Sequence, residues 1–68
     1  MGEALGKRLR AYRKLKNLTQ QQLADLLGIS VAIVGGIERG TREPSKDVLE
    51  KVSQILGVTE HELRGRKS

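Results

Sequence analysis

Apolar positions recur every three or four residues at the start of the chain: Leu5, Leu9, Tyr12 and Leu15, with Lys7, Arg8, Arg10, Arg13, Lys14 and Lys16 between them. That spacing predicts an amphipathic helix from about Glu3 to Lys16 with a strongly basic polar face. The pattern breaks at Asn17-Leu18 and restarts at Thr19. Thr19 with Gln22 three residues later forms a capping box. Leu23, Ala24, Leu26 and Leu27 make the apolar stripe of a second helix, and Gly28 sits just past its end, where a left-handed residue is favoured. Ser30 is the next N-cap. It opens a third helix from about Val31 to Glu38, with Ile33, Val34 and Ile37 inward and Gly40 as its stop. Pro44 holds Glu43 out of helical geometry, so Thr41 to Pro44 is a loop. Ser45 caps a fourth helix with the stripe Val48, Leu49, Val52, Ile55 and Leu56, ended by Gly57. Thr59 and Glu62 form a second capping box and open a short fifth helix through Leu63. Arg64 to Ser68 reads as a basic tail.

These elements predict an all-α chain, a compact five-helix bundle, with residues 1–68 as a single domain. No internal repeat, low-complexity segment or linker interrupts it. Residues 19–38 have the layout of a helix-turn-helix: a capped short helix, a turn containing Gly28, and a second short helix starting at Ser30. That unit lays its second helix in the DNA major groove.

Composition narrows the alternatives. A chain of 68 residues buries only a small core. It has no Cys, so neither a disulfide nor a thiolate metal site supports it, and His61 is its one His. No metal and no cofactor are implied. His61 lies between Glu60 and Glu62 with no nucleophile arranged around it, so enzymatic activity is not expected. No apolar run approaches the roughly 18 residues of a membrane span, and a cytoplasmic protein is expected. The net charge of +5 and the pI near 10.1 favour a polyanionic partner, nucleic acid first. Tyr12 is the only aromatic residue. Single-stranded or RNA partners, which need several stacking rings, fit less well than double-stranded DNA.

The run Leu18-Thr19-Gln20, Leu23-Ala24, Gly28-Ile29-Ser30, Val34 and Ile37-Glu38-Arg39-Gly40 resembles the Cro/C1-type (XRE-type) helix-turn-helix family of bacterial and phage regulators. Gly6 to Arg10 with Arg13 before it, and Pro44-Ser45 after it, are also similar, and the likeness covers about Leu5 to Leu63. The resemblance implies a lambda-repressor-like DNA-binding domain. It implies a structural ion pair between Arg10 on the first helix and Glu38 at the end of the third. It places Thr19 and Gln20 on a DNA phosphate, and it runs Arg39, Thr41 and Arg42, with Lys46 after them, along the sugar-phosphate backbone. It also implies a transcriptional regulator, most simply a repressor acting as a homodimer on a palindromic operator. Val58 and Leu63 are candidate dimer contacts and equally candidate core residues.

The reading positions of the third helix are then its solvent-facing residues Ser30, Val31, Ala32, Gly35 and Gly36, with Arg39 at the end. Only Ser30 and Arg39 offer hydrogen-bonding side chains there; Val31 and Ala32 could meet thymine methyl groups. Gly35 and Gly36 are unexpected, because each costs about 1 kcal/mol against Ala inside a helix. Three accounts are open. The glycines allow close approach of DNA or another chain. Alternatively, specificity comes mainly from DNA shape. In the third account DNA binding is weak and electrostatic, and the apolar surface of Val31, Ala32 and Ile33 takes a protein partner, as an antitoxin or anti-repressor would.

Overall fold

Every helix after the first starts at a hydroxyl and stops at a glycine. The computed structural model describes residues 2–65 and holds α1 (Gly2–Leu15), α2 (Gln20–Leu27), α3 (Val31–Arg39), α4 (Lys46–Leu56) and α5 (Glu60–Arg64), with no strand among the described residues. Thr19, Ser30, Ser45 and Thr59 are the N-caps, each accepting a hydrogen bond from the backbone N–H three residues on. Both expected capping boxes are present: Gln22 Oε1 accepts from Thr19 N at 2.9 Å, and Glu62 Oε1 from Thr59 N at 2.9 Å. Gly28 closes α2 with φ 71°, a left-handed conformation that would strain any residue with a Cβ. Between α1 and α2 the same work is done by Asn17 at φ 59°, because Asn tolerates this region best among the residues with side chains. Replacing Ser45 with Ala is expected to cost about 1 kcal/mol by removing the cap of α4, read as a lower midpoint of urea unfolding; an unchanged midpoint would show the cap to be idle.

The core draws on all five helices. Leu5 and Leu9 of α1 meet Leu23, Ala24 and Leu27 of α2, Val34 and Ile37 of α3, Leu49, Val52 and Leu56 of α4, and Leu63 of α5. α3 lies against both α1 and α2 and is held between them, while α5 rests on α1 and α4. Ala24 is fully buried, as its place between α2 and α3 demands. The closest approach of all is at Gly6. A Cβ there would run into the carbonyl oxygen of Ile37 and would lie 2.5 Å from the carbonyl oxygen and 2.8 Å from the carbonyl carbon of Glu38. α1 therefore crosses the last turn of α3 backbone against backbone.

Several expectations need correction. Leu26 is 56% exposed and Leu15 is 75% exposed, so neither belongs to a buried stripe. Leu23, Ala24 and Leu27 already fill the narrow face that α2 turns inward. On α1, the inward line through Leu5 and Leu9 continues to Arg13, one turn further on, and leaves Leu15 outside. Leu63 is fully buried and Val58 packs against the core, so Leu63 is a core residue and not a surface contact. Arg64 ends α5, with Gly65 as its C-cap, instead of opening a tail; residues 66–68 of the expected basic tail lie outside the described residues. Among the described residues, no helix is long and apolar enough to cross a membrane.

Candidate nucleic-acid interface

Glu38 sits at the centre of the site. Its side chain is 3% exposed and faces Arg13, which is 9% exposed. Arg13 Nε donates to Glu38 Oε2 at 2.6 Å and Nη2 to Oε1 at 3.1 Å, a bidentate pair, while Nη1 donates to the Leu18 carbonyl at 2.8 Å. Gln20 Nε2 donates to the same Glu38 Oε1 at 2.9 Å. The Glu38 carboxylate thus ties α1 and the first turn of α2 to the last turn of α3, and the Arg13 guanidinium it holds fastens the joint before α2. The ion pair expected between Arg10 and Glu38 is not formed: Arg10 is exposed and Arg13 is the partner. The physical reason is register. Arg13 lies one turn beyond Leu9 on the buried side of α1, and Arg10 is rotated away from it. The spacing of Leu5 and Leu9 carried that signal.

At the start of α2, the Thr19 hydroxyl oxygen accepts from Gln22 N at 3.0 Å. The N–H groups of Gln20 and Gln21 precede the first intrahelical bond and remain as donors at the positive end of the helix. Gln20 is half-buried, with its side-chain amide turned back to Glu38, so its side chain braces α3.

The outward face of α3 carries Val31, Ala32, Gly35, Gly36 and Arg39, with Ser30 at its head. Ser30, Val31, Ala32 and Arg39 are exposed, and Ser30 Oγ accepts from Ile33 N at 3.3 Å as the cap. Ile33 is not part of an exposed apolar patch; it packs against the core. Gly35 and Gly36 are buried, contrary to the expectation of open, solvent-facing positions. They do point to the outer side of α3, but arginines cover them. A Cβ at Gly35 would lie 3.1 Å from Arg39 Nη1 and 3.9 Å from Gln20 Nε2. A Cβ at Gly36 would lie 2.8 Å from Arg42 Cδ, 2.9 Å from Arg42 Cγ and 3.4 Å from Thr41 Oγ1. The loop that supplies Thr41 and Arg42 is fastened to the Gly36 carbonyl, which accepts from Thr41 N at 2.9 Å, Arg42 N at 3.2 Å and Thr41 Oγ1 at 3.1 Å. Sequence reasoning grouped Arg42 with the flanking backbone contacts; only the folded loop shows it lying across α3. Lys46 is exposed in the first turn of α4, apart from these contacts. Neither Arg39 nor Arg42 is paired with a carboxylate among the described residues.

A capped α2, a left-handed glycine and a short α3 held against it are the defining parts of a helix-turn-helix, and the helix-turn-helix family model matches residues 9–63. The chain belongs to the Cro/C1-type helix-turn-helix family. Among its relatives in this family is YazB, an uncharacterized HTH-type transcriptional regulator of Bacillus subtilis, 48% identical over 61 residues that cover 90% of this chain and 88% of YazB. SinR, an HTH-type transcriptional regulator of the same organism, is 38% identical over 64 residues, 93% of this chain and 58% of SinR. The chain thus spans most of YazB and little more than half of SinR. The restriction-modification controller protein C.AhdI of Aeromonas hydrophila superposes with a TM-score of 0.84 at 39% identity, covering 91% of this chain and 94% of that one. A structure of SinR in complex with DNA superposes with a TM-score of 0.80 at 38% identity, covering 87% of this chain and 95% of that one. The described residues form the five helices expected from the capping and apolar pattern, and the solved structures on which the chain superposes are likewise all-α.

Proposed function

We propose that the chain regulates transcription by binding double-stranded DNA, with α3 in the major groove, and that it acts as a repressor, as a homodimer on a palindromic operator. The observation that carries this reading is the outer face of α3. Arg39 at the end of α3, and Arg42 laid across it from the loop that follows, are both exposed and free of carboxylate partners among the described residues, and the glycines beneath them have no side chain. A small outer surface lets the helix enter the groove closely. The net charge of +5 supplies the long-range attraction. Ser30, Val31, Ala32 and Arg39, with Gly35 and Gly36 between them, form the reading face. Thr19, Gln20, Thr41 and Lys46 flank it where phosphates run, and Arg42 lies over Gly36. Thr19 and Gln20 would serve through the helix start, since anions are bound there by backbone N–H groups. The likeness to SinR, solved in complex with DNA, supports the same docking. The alternative, a protein-binding module using the apolar side of α3, has less support because Ile33 is packed into the molecule.

Selection of bound duplexes from a fully randomised pool near physiological salt tests the reading. The expected result is a palindrome with two short half-sites, about one helical turn or 34 Å apart. With about four phosphates neutralised per subunit, and so about eight by the dimer, log K for the dimer should fall against log salt with a slope of roughly −7. Failure to retain any duplex at low salt would overturn DNA binding; a single non-repeated half-site would overturn the dimer.

A further inference from the structure

We propose that Arg42 is a base-reading residue of α3 in all but its sequence position, that Gly36 exists to seat it, and that the base it selects is guanine. The proposal rests on the DNA-binding reading above and makes it specific. A glycine inside a helix costs stability that Ala would restore, so a glycine kept there calls for something that needs the space. At Gly36 that space is occupied. The Cγ and Cδ of Arg42 lie 2.9 Å and 2.8 Å from where a Cβ would stand, nearer than two carbons can approach. The stem of Arg42 therefore lies across the helix at the place where the side chain of residue 36 would begin. The backbone beneath it is held, because Thr41 N, Arg42 N and the Thr41 hydroxyl all donate to the Gly36 carbonyl. The stem starts from a fastened loop, so less freedom is lost when its head group is engaged.

The rest of the reading face leaves few other donors. Val31, Ala32, Gly35 and Gly36 have no polar side-chain atom, and Ser30, whose Oγ accepts from Ile33 N as the cap, keeps a single hydroxyl proton to donate at the head of the helix. Of the hydrogen-bonding side chains over the glycine pair, Gln20 Nε2 donates to Glu38 and the Thr41 hydroxyl to the Gly36 carbonyl, which leaves Arg39 and Arg42. A guanidinium is a rigid fork of donors with no acceptor. In the major groove that fork fits the paired acceptors of guanine, O6 and N7. A phosphate contact by the same group would position the protein but would be blind to sequence, and that is the competing outcome.

The experiment compares three full-length proteins, wild type, Gly36→Ala and Arg42→Ala, each against the duplex selected by wild type, duplexes with every single-base change in it, and a duplex of unrelated sequence. Gly36→Ala keeps the charge of Arg42 but fills its seat. It meets only a flexible side chain, so its thermal melt is expected to be no lower than wild type. Both variants are expected to lose about tenfold or more of the preference for guanine at one position in each half-site. The unrelated duplex supplies the reference affinity for each protein, so that guanine preference is read as a ratio within one variant. The proposal is overturned if Gly36→Ala keeps the guanine preference. It is equally overturned if Arg42→Ala weakens all duplexes alike and lowers the salt slope by about 1 per subunit, about 2 for the dimer, the signature of a phosphate contact. Wild type that binds duplexes without any base preference would remove this proposal and leave electrostatic DNA binding standing. Wild type that binds no duplex would remove both.

Discussion

Arg13→Ala is expected to abolish a cooperative thermal transition, while Arg10→Ala melts like wild type. The difference follows from where each guanidinium lies. Arg13 and Glu38 are buried as a bidentate pair, with side-chain exposures of 9% and 3%. Such a pair is not by itself a large source of stability, because removing both charges from water offsets their attraction. Truncating one partner is different: it strands the other charge in the interior at about 3–5 kcal/mol. A chain of 68 residues has a total stability of roughly 3–10 kcal/mol at 0.05–0.15 kcal/mol per residue, so the loss is a large part of the whole. The Leu18 carbonyl loses a donor in the same step, and Gln20 is left on a carboxylate with no counter-charge. Arg10, exposed on α1 with no partner among the described residues, has nothing comparable to lose and should stay within about 0.5 kcal/mol. Circular dichroism melts of the two variants decide the matter. Arg13→Ala melting with wild-type cooperativity would refute the role given to the pair. The double variant Arg13→Met with Glu38→Leu separates the two parts of the argument. Recovery of stability would show that the penalty comes from the stranded charge, since apolar replacements of both partners are often neutral or better. No recovery would show that the bonds to Leu18 and Gln20 carry it.

The helix boundaries were legible because they are set by residues within four positions of one another. Thr19 with Gln22, Ser30 with Ile33, Ser45 with Val48 and Thr59 with Glu62 each make their cap locally, and the glycine stops need no distant partner. What was misread depends on which way a side chain turns once helices meet. A short helix such as α2 can bury only a narrow face, so four apolar residues overfill it and Leu26 is left outside. The family likeness assigned the ion pair to Arg10, and the charge pattern placed Arg13 on the basic polar face, although it stands one turn beyond Leu9 on the line through Leu5. The state of Gly35 and Gly36 was not legible at all. Their outward direction follows from helical period, but the side chains that cover them arrive from Arg39, a turn later, and from Arg42, beyond the end of α3. No pattern along the chain records that a loop folds back over a helix.

The same physics makes opposite predictions for two chemically identical substitutions. Adding a methyl group to a helical glycine normally helps, by about 1 kcal/mol, because the unfolded chain has less freedom to lose. Gly36→Ala should follow that rule or fall short of it only slightly, since Arg42 can swing aside. Gly6→Ala should reverse it. The new Cβ would meet the carbonyl oxygens of Ile37 and Glu38 and the carbonyl carbon of Glu38, which are backbone atoms of a packed helix. They cannot move without α3 moving. Overpacking of this kind costs about 1–3 kcal/mol and at times more. The group pushed aside is the residue that bonds Arg13 and Gln20, so loosening at Gly6 spreads to the Glu38 network and to the placing of α3 against α2. Urea unfolding of the two variants side by side is the measurement. The expected result is a lowered midpoint for Gly6→Ala and an equal or raised one for Gly36→Ala. A Gly6→Ala protein as stable as wild type would mean that α1 and α3 do not cross in backbone contact, and the stated placing of α3 would fall with it.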